Sequence, residues 1–173
     1  MSLPPVGSSV QVEALPSNVI ATKVHTEPIA DGNVTIMSQE YLDRTLVLVT
    51  EVDKIGYLVQ AQVEPGEHTV EFLQNKRPDS ILIPTVTLVP LFGTPPTQYT
   101  DLYALYATQI AAAICADLYS TDNLLGNMKP VIVGLALRQS PSSQDSPESD
   151  LNFAQERTKL DRVLSALSHT RVW

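Results

Sequence analysis

The run Leu46-Val47-Leu48-Val49 and its later counterpart Val131-Ile132-Val133, continuing to Leu135, place apolar side chains without a polar alternation. A strand with one wet face alternates apolar and polar residues, so a strand that is apolar throughout is covered on both faces. Both runs are short and rich in β-branched residues, which reads as strand rather than helix. They belong in a sheet whose two faces are both covered, and the rest of the chain has to supply the neighbours and the covers.

Working outward, strand patterns fall at 19–26, 33–41, 45–52 and 55–63, the last two joined through Asp53-Lys54, and these read as an antiparallel meander. A polar stretch at 64–80 leads to a fifth strand at 81–91, whose Pro84 and Pro90 cannot donate to a ladder and so mark an edge or a bulge. Pro95-Pro96 breaks the chain before a helix capped by Thr100 or Asp101, with Leu102, Leu105, Tyr106, Ile110 and Ala113 at helical spacing. A sixth strand follows at 130–137. The last helix starts near Asp150, and its Phe153, Leu160, Val163, Leu164 and Leu167 form a stripe beside the charged Glu156, Lys159 and Arg162.

The expected class is α+β: an antiparallel six-stranded sheet, a meander plus later strands, with two helices packed on one face. Two helices cover one face only. The simplest cover for the other is a second sheet from a partner subunit, so this face is expected to serve dimerisation. The alternative is that the N-terminal arm or a long insert folds back over it, and their lack of hydrophobic pattern counts against this. With a two-residue turn between the third and fourth strands, Val47, Val49, Glu51, Leu58, Gln60 and Gln62 share the more polar face and are the expected partner interface. Leu46, Leu48 and Thr50, with Tyr57, Val59 and Ala61, would then face the helices.

A length of 173 residues suits one domain. Residues 1–18 read as a disordered arm, and 19–173 as a single domain interrupted by a polar, disordered insert at 139–149. The formal charge of −8, with scattered Lys and Arg, repels a phosphate backbone and argues against nucleic acid as a partner. The N-terminal residues lack a basic start followed by an apolar run, and the single Cys115 sits in an apolar helical stretch; a reducing compartment, cytoplasm or nucleus, is expected. The stretch 102–119 has no basic residue, but it is Ala-rich and carries Thr108, Gln109 and Asp117, so it reads as a core helix and no membrane contact is expected.

Chemistry is not written in this chain. His25, His68 and His169 have no second His or Cys at ligand spacing, and there is no Gly-rich phosphate loop, no G-x-S-x-G and no H-E-x-x-H. No catalytic residue, metal or cofactor is expected, and the chain reads as an interaction protein rather than an enzyme. An enzyme would need scattered residues such as Tyr57, Asp101 and His169 to converge. Trp173 is expected to dock, since it extends the apolar stripe of the last helix.

Three stretches together resemble the proteasome assembly chaperone 3 family. They are Leu46-Val47-Leu48-Val49-Thr50 followed by Lys54, Gly56 and Leu58-Val59; the strand Val131-Ile132-Val133-Gly134-Leu135-Ala136 after an Ala-rich helix; and the final helix with Leu160, Val163 and Leu164 running into Val172-Trp173. The resemblance implies a heterodimer with a fourth-type assembly chaperone of the same fold, or a homodimer in isolation. It further implies a role in building the α-ring of the 20S proteasome, near the fifth α-type subunit. A dimeric trafficking or scaffold adaptor of similar build is the competing reading.

Overall fold

The computed structural model describes residues 20–30, 32–52, 54–74, 84–122, 128–138 and 153–173. The expected arm at 1–18 and the insert at 139–149 lie outside the described residues. Six strands, β1 (Thr22–Ile29), β2 (Gly32–Glu40), β3 (Thr45–Thr50), β4 (Tyr57–Val63), β5 (Val86–Phe92) and β6 (Val131–Ala136), form one sheet. Their order across it is β1-β2-β3-β6-β4-β5. The α+β class and the six strands agree with the sequence reading.

The pairing corrects it in one respect. β3 and β4 are not a hairpin: β6 lies between them, parallel to β3 with Val47 opposite Val133, and antiparallel to β4 with Val59 opposite Val133. The remaining pairs are antiparallel. The reason is burial. Every residue of β6 is buried, so it is the strand that gains most from having a neighbour on each side. The connection from β3 to β4 passes the end of β6, where Glu51 N donates to Ala136 O at 2.9 Å. A parallel pair needs a long crossover, and here β4, β5 and two helices supply it.

β5 is an edge strand with a bulge, as its prolines suggested: Leu58 pairs with Phe92 and Val59 with Pro90, which leaves Leu91 as the extra residue. Just beyond it, Gly93 adopts φ +70°, and a side chain there would run into the carbonyl oxygen of Gly56. A short helix, α1 (Glu67–Gln74), stands where the sequence reads as loop. Eight residues are too few for a stable isolated helix, and tertiary contact makes up the difference: Leu73 enters the core and Thr69 Oγ1 donates to Glu64 O at 2.8 Å.

Two longer helices, α2 (Thr100–Asp122) and α3 (Phe153–Leu167), cover one face of the sheet. α2 lies against β4, β5 and β6, and α3 against β1 and β2. α2 is long and apolar enough by length and composition to cross a membrane, but its Tyr106, Ile110 and Ile114 are fully buried in the core with Val47, Val49, Val59, Val133 and Leu135 of the sheet. Cys115 shares this core, and burial pushes its thiol up to about 11.

The chain's last residues are strapped to the sheet. Ser38 Oγ donates to Thr170 Oγ1 at 2.9 Å with both residues fully buried, and the Arg171 guanidinium meets both oxygens of Asp117 at 2.8 Å. The ring of His169 stacks on that of His25 at 4.8 Å, and Trp173 packs half-buried against the core.

Two outcomes follow from this core. Removing Val172-Trp173 should lower unfolding free energy by about 1–3 kcal/mol in a urea titration, since it strips a packed indole. Cys115 should resist a thiol reagent at neutral pH until denaturant is added. Because its folded pKa lies above the ordinary 9.0, its share of stability is intact below pH 9.0 and is lost as pH climbs towards 11. Cys115→Ala should flatten that alkaline decline in Tm.

Candidate interaction surface

Register assigns each strand residue to the helix-covered face or to its opposite. The covered side takes Val34, Ile36, Val47, Val49, Val133, Leu135, Val59 and Ala61, and all of them belong to the core cluster. The opposite side takes Val24 of β1; Met37 of β2; Leu46 and Leu48 of β3; Ile132, Gly134 and Ala136 of β6; Leu58, Gln60 and Gln62 of β4; and Val89 and Phe92 of β5. None of these joins the core cluster, and among the described residues neither long helix packs on them.

The middle of this uncovered face is an apolar ridge. Gly134 leaves a slot in β6, and a side chain there would meet Leu48 Cδ2, with Ile55 Cγ2 at 3.3 Å and Leu58 Cδ2 at 3.7 Å. Leu48 from one neighbouring strand and Leu58 from the other therefore close over the central strand, together with Ile55 from the connection. Towards the β5 edge the apolar surface opens to solvent, with Val89 46 % and Phe92 62 % exposed. Towards β1 it becomes polar but stays satisfied: Gln39 Nε2 donates to Thr22 Oγ1 at 3.1 Å, Tyr41 Oη donates to Gln39 Oε1 at 3.0 Å, and the Thr26 and Thr35 hydroxyls share a bond of 3.2 Å.

No Asp, Glu, Lys or Arg stands at any strand position on this face. Charged residues make up 17 % of the chain, and the three in the strands, Lys23, Glu27 and Glu40, all stand on the helix side, so their absence here is a property of the face. It is suited to contact with another uncharged surface.

The six expected interface residues do not share a face. Leu58, Gln60 and Gln62 stand on the uncovered side, whereas Val47 and Val49 lie beneath the helices with no exposure, and Glu51 is buried 2.8 Å from Lys159 Nζ. The expected parity assumed β3 beside β4 across a two-residue turn. With β6 inserted, the register Val47 to Val133 to Val59 sets it instead, so Leu46 and Leu48 take the uncovered side. An alternation of Leu with Val carries no polarity, which is why sequence alone could not orient β3.

Tyr57, Asp101 and His169 do not converge either. His169 lies on His25 of β1, four strand positions from β4, which is roughly 19 Å at a strand spacing of about 4.8 Å. Asp101 is exposed at the start of α2. Among the described residues, no three His, Cys, Asp or Glu side chains are grouped to hold a metal.

No family model matches the chain, and no curated protein matches it in sequence. Among solved structures it is similar to a chain from the crystal structure of a novel chaperone complex for yeast 20S proteasome assembly, with a TM-score of 0.49 and 11 % identity over 84 % of this chain and 97 % of that one. A likeness of that degree leaves function to be argued from the chain's own residues.

The slot at Gly134 can be tested directly. Gly134→Val should cost about 1–3 kcal/mol in chemical denaturation, because it overpacks against both Leu48 and Ile55. Gly134→Ala should cost less, because a lone Cβ requires only the side-chain ends Leu48 Cδ2 and Ile55 Cγ2 to give way.

Proposed function

We propose that this chain is a subunit of a proteasome assembly chaperone that acts by binding, in the cytoplasm and nucleus. Its uncovered sheet face stacks on the sheet of a fourth-type assembly chaperone, and the pair promotes α-ring assembly of the 20S proteasome, with the fifth α-type subunit as client. The single observation that carries the dimer is the charge-free uncovered face.

Two stacked sheets pack about 10 Å apart with interdigitated side chains. Six strands span roughly 25 by 20 Å at about 4.8 Å between strands and about 3.3 Å per residue, so two such faces together bury about 1,000 Å², the lower bound for a specific interface. This chain carries −8, and even an acidic partner can meet it on this face without opposing like charges at the strand positions. The identity of partner and client comes from the three sequence stretches that resemble the family: the β3 segment with Leu58-Val59, the β6 run, and the terminal helix with Val172-Trp173. Without the fourth-type partner, the same face pairs two copies of this chain.

Sedimentation of the purified chain, alone and with a fourth-type chaperone, checks the dimer. Leu48→Glu should abolish association, because it buries an unpaired carboxylate at the centre of the interface, while leaving the monomer folded. Val49→Glu on the covered face should unfold the chain instead. Purification of tagged protein from its own cells tests the role: recovery of a small partner together with α-type proteasome subunits is expected. A partner accompanied by membrane-traffic proteins and no proteasome subunit would replace this reading with the adaptor.

A further inference from the structure

On the covered side, at the end of the sheet where β3 and β6 stop, three ionisable side chains are buried together. Lys159 Nζ lies 2.8 Å from Glu51 Oε1 and 3.7 Å from Glu156 Oε1, and the three side chains are 8 %, 3 % and 10 % exposed. Arg138 N donates to Glu51 Oε2 at 2.8 Å, which ties the exit of β6 to the same cluster. Beside it is a cavity of about 10 Å³ whose walls include Tyr103, Leu137, Glu156 and Lys159.

The polar groups on those walls are incompletely matched. Glu156 Oε2 is buried and has no hydrogen-bond partner. Tyr103 Oη accepts from Leu137 N at 3.2 Å, so its own proton is left to donate, and burial raises the phenol's pKa and keeps that proton in place. Lys159 Nζ is ion-paired with Glu51 Oε1 at 2.8 Å without hydrogen-bond geometry, and Glu156 Oε1 at 3.7 Å is beyond hydrogen-bond range, so the ammonium keeps donors for the space beside it. One acceptor and two donors therefore border a single small space. A buried water typically makes about three hydrogen bonds and needs a cavity of about 10–15 Å³.

We propose that this cavity is a hydration site for one ordered water molecule, which accepts from Tyr103 Oη and Lys159 Nζ and donates to Glu156 Oε2. The water links the first turns of α2, the exit of β6 and the body of α3 at one point. It sits on the opposite side of the sheet from the proposed dimer face, and is independent of it. An organic ligand does not fit the volume, and the ammonium of Lys159 on the wall disfavours a cation in the water's place.

Two measurements on the full chain test this. A crystal structure that resolves ordered solvent should show one density peak within hydrogen-bond distance of Tyr103 Oη, Glu156 Oε2 and Lys159 Nζ. Oxygen-17 relaxation dispersion should report a long-lived internal water, lost in Glu156→Met, which keeps the side-chain length without the acceptor, and retained in Glu156→Gln. A direct Tyr103 to Glu156 bond with no density between them would overturn the proposal. So would a peak with metal-like short contacts, or a long-lived water signal that is unchanged in Glu156→Met. Should Glu156→Met fail to fold, the crystal structure of the unaltered chain still decides.

Discussion

The placement of β6 between β3 and β4 is the constraint on which the rest of the molecule depends. β3 and β4 each leave one row of backbone donors and acceptors unpaired, and only a strand between them satisfies both rows. β6 meets that need with six buried residues, so its hydrogen bonds and its hydrophobic burial act at the same place. From there α2 is drawn over β4, β5 and β6, and α3 over β1 and β2, and the two helices leave one face of the sheet without a cover.

The two faces solve different physical problems. The covered face buries charge as a group, with Lys159 between Glu51 and Glu156, and uses a hydroxyl pair at Ser38 and Thr170 to fix the last residues. Removing one member of such a buried group leaves its partner desolvated, so these contacts make the arrangement of helices on the sheet specific more than they add stability. The uncovered face has no Asp, Glu, Lys or Arg at its described strand positions and covers its central strand with Leu48, Ile55 and Leu58. In the proposed dimer, affinity for the partner sheet comes from shape and apolar area, and discrimination from the position of the ridge over Gly134.

Much of this was legible in the sequence. The two non-alternating runs identified the strands that lie at the centre, the prolines of 81–91 identified the bulged edge, and the alternation in Tyr57–Val63 oriented β4 through Gln60 and Gln62. Strand order was not legible, because the pairing of β6 with β3 is decided by competition for burial among distant segments rather than by any local signal. The orientation of β3 failed for the same reason: with Leu on one side and Val on the other, only its neighbours decide which side meets the helices. α1 escaped notice because eight residues carry too little periodicity to stand out.

The late position of β6 in the chain also sets an order of events during synthesis. Everything from β1 to α2 leaves the ribosome while β3 and β4 still lack the strand that joins them, so the nascent sheet is held as two separate pieces with open edges. The pieces unite only once Ala136 has emerged, in a step that closes contacts far apart in sequence. The ridge over Gly134 comes into being in that same step, so a fragment cut short before β6 has no assembled face to offer and cannot occupy a partner's.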